Sequence, residues 1–219
     1  MENAELIDRY LDLILEENKT TNLTRIDSKE KARILHIEDS LVALPEVNRA
    51  PEGLYGDLGT GGGFPGFPIA VETGRKAILV DSVKKKTAIV ERCVDKLGMS
   101  DRISTFSGRI EDLAREMPGK FSVLTARALS QLPSLLELAS PLLKKGGLFV
   151  CYKGEVSLEE EEAAKKVAKK VGMTLVSKRS LILSDGETHR EIFLYEKTGK
   201  PTVKLPRRVG MAQHKPLID

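Results

Sequence analysis

The chain has 219 residues, 41% hydrophobic and 31% charged, with a formal net charge of +3 from 35 Lys and Arg against 32 Asp and Glu. That composition suits one full-size α/β domain or two small ones and excludes collagen-like, low-complexity and wholly disordered chains. No apolar run reaches the roughly 18–20 residues of a membrane span. The acidic, amphipathic N-terminus lacks the basic region of a signal peptide, and two cysteines make no disulfide framework, so a cytoplasmic location is expected.

In chain order, apolar residues at 6, 7, 10, 11, 13, 14 and 15 follow a helical period, broken at Thr20–Asn22. Ser28 is placed to N-cap a second helix that Pro45 is expected to end. Together they form a helical extension over residues 1–50. From Leu54 the rhythm becomes strand, turn, helix. Strands are expected at Leu54–Leu58, Lys76–Asp81, Arg102–Ser107, Phe121–Thr125 and Leu148–Tyr152. Helices are expected at Phe67–Glu72, Lys84–Leu97, Ile110–Met117, Leu132–Leu143 (stopped by Gly146-Gly147) and Leu158–Val171. Two closing runs, Thr174–Leu183 and Arg190–Tyr195, read as an antiparallel pair. Alternating strands and helices imply a doubly wound, mostly parallel α/β sheet with an antiparallel last strand. Residues 51–197 form this unit, and 198–219 a basic C-terminal segment of the same domain.

The segment Asp57-Leu58-Gly59-Thr60-Gly61-Gly62-Gly63-Phe64-Pro65-Gly66 follows the first strand and opens a helix, where an open α/β sheet binds its ligand. It lacks the Lys of a P-loop. Gly61-x-Gly63-x-x-Gly66 matches a dinucleotide fingerprint, with Asp81 at the right distance for a ribose. The pattern Asp-x-Gly-x-Gly-x-Gly also resembles motif I of class I S-adenosylmethionine-dependent methyltransferases. There Asp57 would engage or orient the amino-acid portion of the cofactor, Asp81 would accept both ribose hydroxyls, and the loop Ser107–Asp112 would contact adenine. A dehydrogenase needs no third acidic loop, so the methyltransferase reading is preferred over the dinucleotide one and over a ligand-free turn.

The likeness goes further. Asn22-Leu23-Thr24, His36 with Asp39-Ser40-Leu41, and the Asp57–Pro68 loop are the first part of it. Leu79-Val80-Asp81-Ser82 with Lys85-Lys86, Gly108-Arg109-x-Glu111, Ala126-Arg127-Ala128, Gly146-Gly147 with Lys153-Gly154, Pro206-Arg207-Arg208-x-Gly210 and Lys215-Pro216-Leu217 continue it. These segments resemble the bacterial 16S rRNA guanine-N7 methyltransferase family (ribosomal RNA small subunit methyltransferase G, or glucose-inhibited division protein B). The resemblance implies a Rossmann-like class I fold and N7 methylation of one guanine in the 530 loop of 16S rRNA, with S-adenosyl-L-methionine as cofactor and S-adenosyl-L-homocysteine as product. It implies cofactor contacts at Gly59, Phe64, Ile110, Glu111 and Arg127, to which Asp57, Gly61, Asp81 and Ser82 of the motif loops are added. Glu17 departs from the family, where an aromatic is common, which bears on the packing of the first helix.

The residues agree with that chemistry. Exocyclic-amine methyltransferases place an Asn/Asp-Pro-Pro-Tyr/Phe motif after the fourth strand, where this chain reads Thr125-Ala126-Arg127-Ala128. Cys93 and Cys151 read as core residues rather than nucleophiles. Guanine N7 carries a lone pair and no proton, so transfer to it needs proximity and orientation but no general base; no catalytic acid or base is expected. His36 and Asp39 read as an inter-helix hydrogen bond in preference to a site-lining pair. The three histidines have no zinc spacing, and Glu159–Glu162 with the lysines after it reads as a solvated helix.

An rRNA substrate, as naked rRNA, an assembly intermediate or the small subunit, asks for phosphate-binding side chains. Candidates are Lys84, Lys85, Lys153, Arg190, Arg207, Arg208 and Lys215, expected to converge on one edge. Residues 197–219 hold six basic residues against one acid, so the small net charge conceals a basic tail on a slightly acidic body. No membrane and no obligate protein partner is expected. The competing readings are another RNA or small-molecule class I methyltransferase, and a cofactor-binding regulatory module without transfer activity.

Overall fold

A computed structural model describes residues 2–21, 26 and 28–218; the Asn22-Leu23-Thr24 segment lies outside them. The first helix, α1 (Asn3–Thr21), buries the stripe Leu6, Ile7, Tyr10, Leu11 and Ile14. Glu17 sits near its end and pairs with Arg92 at 2.7 Å, which accommodates its carboxylate.

The Ser28 hydroxyl caps α2 (Lys29–Ala32) by accepting the Lys31 N–H. The rod then loosens into a π-helical stretch, Arg33–Glu38, before tightening into α3 (Asp39–Leu41). Such bulges re-aim side chains and recur at functional sites; this one carries His36. Pro45 does not end this rod, as the sequence suggested. It lies in the first turn of a further short helix, α4 (Leu44–Val47), where its missing N–H has no partner to lose.

The seven strands are β1 (Leu54–Leu58), β2 (Ala77–Asp81), β3 (Ile103–Ser107), β4 (Phe121–Arg127), β5 (Leu143–Lys153), β6 (Met173–Ile182) and β7 (His189–Lys197). They form one sheet in the order β3-β2-β1-β4-β5-β7-β6. β7 alone runs against its neighbours, pairing antiparallel with both β5 and β6. Between the strands lie α5 (Gly66–Thr73), α6 (Lys84–Lys96), α7 (Ile110–Glu116), α8 (Leu132–Ala139) and α9 (Leu158–Val171).

Two apolar layers cover the sheet. One packs α1, α5 and α6 against one face, and the other packs α7, α8 and α9 against the opposite face. At roughly 25 cal/mol per Å² of apolar surface, these layers are the main stabilising term. Cys93 and Cys151 are free and buried within them, and burial pushes both thiols up, Cys93 to about 11, so neither is a nucleophile.

One boundary differs from expectation. The helix after β4 stops at Ala139 rather than Leu143, because Pro141 has no N–H to extend the ladder. Gly146-Gly147 are inside β5, where the pairing with β4 shifts register between Phe121 and Val123. A Cβ on Gly147 would stand 2.9 Å from the Lys144 carbonyl and 3.1 Å from that of Phe121, so the glycine marks a close backbone approach.

Beyond β7 the chain crosses the second helical layer as an irregular strap ending in a short helix, α10 (Met211–His214). Arg207 anchors it with two bonds to Glu137, at 2.6 and 2.7 Å, and a third to the Lys215 carbonyl.

Candidate active site: three cavities along the carboxyl edge of the sheet

The glycine loop between β1 and α5 turns under the sheet edge because its backbone takes conformations other residues resist. Gly59, Gly61 and Gly63 all have positive φ. Gly63 is held closest: a Cβ there would lie 1.9 Å from the Tyr10 hydroxyl. That hydroxyl donates to the Gly62 carbonyl at 2.9 Å while its ring stacks on Phe67 at 3.8 Å, tying α1 to the loop.

Asp57 organises the same loop from inside. It is fully buried, and its two oxygens accept the Gly66 N–H at 3.0 Å and the Thr125 hydroxyl at 2.7 Å. Burial raises its pKa, against the bonds from Thr125 and the Gly66 N–H and the charge of Arg127 that lower it. Asp57 lines none of the cavities described below; of the two roles expected of it, engaging or orienting, its bonds fit the second, since they fix the loop that walls those cavities.

Three cavities follow in a row. The first, about 280 Å³, is walled by Gly59 and Gly61, by Asp81 and Ser82 at the end of β2, and by Ile110 and Glu111 at the start of α7. Asp81 holds the Gly61 N–H at 3.0 Å and the Val83 N–H at 2.9 Å. The second, about 200 Å³, lies across the glycine loop among Ile14, His36, Phe64 and Arg127. The His36 and Phe64 rings stack at 4.6 Å. The third, about 140 Å³, is lined by Arg127, Ser130, Tyr152, Lys153, Gly154 and Arg190.

Ala128 borders all three. It is the one non-glycine residue with positive φ among the described residues, at 54°, and such a conformation costs an L-residue roughly 1–2 kcal/mol. A strained residue at the end of a central strand marks a working site.

The glycine loop fits the cofactor that the motif implies. A Cβ on Gly61 would meet nothing within 4 Å, so the Gly61 backbone fronts open cavity on both sides. With Asp81 beside it and the apolar Ile110 and Leu138 opposite, the first cavity has a carboxylate for a diol and a slot for a flat base. Among the described residues no group of three His, Cys, Asp or Glu could hold a metal ion.

Among the described residues no hydrogen bond joins His36 to Asp39; His36 lines the second cavity. Asp39 is buried and binds two arginines, Arg127 at 2.7 Å and Arg190 at 2.7 and 3.0 Å. Burial, with nearby Arg127 and against Asp39, lowers the His36 pKa to about 4. Between about pH 4 and 6.5 the unfolded chain therefore binds a proton at this site that the folded one refuses. Stability from His36 is complete above 6.5 and is lost as the pH falls toward 4, on the order of 3 kcal/mol in all. Urea unfolding at pH 7 and pH 4.5 should show a smaller loss on acidification for His36→Gln than for the parent chain. Equal losses would remove His36 as the source.

The basic residues separate into groups. Lys84 and Lys85 are exposed on the first turn of α6, after the strand that carries Asp81. Lys153 and Arg190 meet at the third cavity. Arg208 and Lys215 are exposed on the strap. Arg207, expected on the RNA side, turns inward instead to the buried Glu137, because a carboxylate at that depth requires a partner. Glu111 likewise gives one oxygen to the Gly210 N–H of the strap, at 2.8 Å.

Sequence reasoning missed Gln213, which reaches the first cavity from α10, together with Ala128 and Leu129. A polar residue in a terminal segment carries no motif; only its carboxyl neighbour Glu111 was legible.

Fold and site together define a class I S-adenosylmethionine-dependent methyltransferase. Solved structures of similar fold include an O-methyltransferase from Bacillus cereus with S-adenosylhomocysteine (TM-score 0.60, 16% identity, 86% of this chain and 90% of that one). A geranyl diphosphate C-methyltransferase from Streptomyces coelicolor A3(2) is another (TM-score 0.54, 13% identity, 68% and 72%). The family model for GidB, rRNA small subunit methyltransferase G, matches residues 3–189, and the chain belongs to that family. It is 35% identical to the ribosomal RNA small subunit methyltransferase G of Desulfitobacterium hafniense (strain Y51), over 99% of this chain and 90% of that protein. Identity to the protein of the same name from Carboxydothermus hydrogenoformans is 34%, over 99% and 92%.

Proposed function

We propose that this protein transfers a methyl group from S-adenosyl-L-methionine to N7 of a guanine in the 530 loop of 16S rRNA. The observation that carries the choice of atom is the second cavity. It holds a stacked His36–Phe64 pair and a guanidinium but no carboxylate to act as base. His36, with its pKa near 4, is a poor proton acceptor at neutral pH. An acceptor atom that carries a lone pair and no proton is the one this cavity can serve.

The bound cofactor supplies an electrophilic methyl group. Everything else falls to the chain. Gly59 and Gly61 give close backbone approach, Asp81 and Ser82 hold the ribose side, and Ile110 and Glu111 flank the base. Gly59, Gly61 and Ala128 are common to the first and second cavities, and Phe64 and Arg127 wall the second. Transfer requires no proton to move, so alignment across the glycine loop is the main contribution to rate.

Lys84, Lys85, Lys153, Arg190, Arg208 and Lys215 offer phosphate contacts, and Arg207 contributes by holding the strap. Residues 1–50, 51–197 and 198–219 serve as one working unit. No described helix is long and apolar enough to cross a membrane, and the proposed site of action is the cytoplasm.

The test is transfer of labelled methyl to naked 16S rRNA, to assembly intermediates and to mature small subunits. Borohydride and aniline treatment then locates N7-methylguanine by strand scission. Scission at one guanine of the 530 loop is expected with at least one of these substrates. No N7 signal on ribosomal RNA at any assembly stage would overturn the assignment, and binding of S-adenosylmethionine without transfer would point to a regulatory module.

A further inference from the structure

Apart from Arg127 and Ala128, which it shares with the second cavity, the third cavity is lined by residues given no part above in holding the cofactor or in methyl transfer, yet it is the most cationic recess on this edge. Its charged lining residues are Arg127, Lys153 and Arg190, all positive. Their side chains are 13%, 15% and 22% exposed, so the charges are largely withdrawn from water and fixed in place.

The carboxylates that neutralise them stand outside the cavity wall. Asp39, behind the two arginines, bonds Nη1 of Arg127 and both Nε and Nη2 of Arg190. Glu160 takes Lys153 at 2.8 Å and the Leu132 N–H at 2.7 Å. Two guanidiniums share one carboxylate, leaving a net positive charge on the cluster. Nε and Nη2 of Arg127 have no protein acceptor among the described residues, so the fork retains donors for an anion.

The cavity shares Arg127 and Ala128 with the second cavity, where the base would be methylated. A nucleotide whose base occupies the second cavity has a backbone phosphate one sugar away. A small recess lined by three fixed cations and adjoining the second cavity suits a phosphate and is too polar for a base.

On that basis, and resting on the guanine reading above, we infer that the recess of Arg127, Lys153 and Arg190 is a seat for a phosphate of the target guanosine. It holds the nucleotide by its backbone while the base is presented to the methyl donor. The seat gives the enzyme a grip on the one nucleotide it modifies, independent of contacts elsewhere on the RNA.

The experiment titrates the protein loaded with S-adenosylhomocysteine, by calorimetry or NMR, with guanosine, guanosine 5′-monophosphate, guanosine 3′-monophosphate and the matching adenosine compounds. One of the two guanosine monophosphates should bind at least about tenfold more tightly than guanosine. That advantage should shrink to about twofold or less in Lys153→Ala, a variant that leaves Glu160 bonded to the Leu132 N–H. Arg190→Gln, with Asp39 still held by Arg127, provides a second reading.

If both monophosphates bind no better than guanosine, or nothing binds, the seat is overturned. If Lys153→Ala and Arg190→Gln both keep the full advantage, the phosphate lies elsewhere and the inference fails. If the adenosine series binds as well as the guanosine series with the phosphate advantage intact, the seat stands and the guanine reading fails.

Discussion

Gly61→Val should weaken cofactor binding about 100-fold while leaving the fold standing. At φ 58°, any side chain at position 61 costs roughly 1 kcal/mol in backbone strain. The larger effect is occupancy. A Cβ there meets no protein atom within 4 Å because the space it enters belongs to the first two cavities. Crowding a formed cavity with a valine costs about 3 kcal/mol of ligand affinity, about 100-fold in Kd. Calorimetry with S-adenosylhomocysteine should show that loss, with a fall in Tm of only a few degrees. Gly63→Ala makes the contrast, since its Cβ would collide with Tyr10 and the damage should appear in Tm even without cofactor. Undiminished cofactor affinity in Gly61→Val would mean that the loop does not face the ligand.

The second large effect concerns the strap. Arg207→Glu puts a like charge in place of the partner that the buried Glu137 has among the described residues, and Glu137 is 3% exposed. Breaking one side of a buried ion pair costs about 3–5 kcal/mol, which for a domain of this size lowers Tm by about 10 °C. Because the strap also donates the Gly210 N–H to Glu111 and brings Gln213 to the first cavity, affinity for S-adenosylhomocysteine should fall with it. Arg208→Glu, on the exposed neighbour, should leave Tm and cofactor affinity unchanged and weaken only rRNA binding. A double reading of this kind separates an anchor from an RNA contact. Wild-type Tm and cofactor affinity in Arg207→Glu would refute the anchoring role.

These two cases show where sequence reasoning reaches and where it stops. β1 and α9 have the boundaries read from the sequence, because their apolar periods end at sharp signals: a glycine run after Leu58, and Gly172, with φ 70°, after Val171. The glycine loop and Asp81 were legible for the same local reason. Pro45 and Gly146-Gly147 were misread because each residue type serves two purposes. Proline opens helices as readily as it ends them, and glycine marks a bulge as readily as a stop.

The rest of the site depends on partners distant in sequence. Nothing local says that Asp39 gathers Arg127 and Arg190 from strands far along the chain, or that Arg207 reaches back to Glu137. The basic tail is the plainest instance. Composition marked residues 197–219 as a positive segment, yet Lys197 is buried against Ser140 and the Val171 carbonyl, where desolvation lowers its pKa to about 8. With Arg207 also turned inward, the outward charge of the tail rests on Lys200, Lys204, Arg208 and Lys215. Summed charge reports composition, whereas the field a partner meets is set by which cations remain outside.

Ala128, strained at the end of β4, is a wall of all three cavities. A backbone joint common to three chambers has no private degree of freedom: a ligand that rotates it in one chamber reshapes the other two. Thermodynamic reciprocity then requires the influence to run equally in both directions, so whatever factor the occupant of the first chamber imposes on affinity in the third is returned in full.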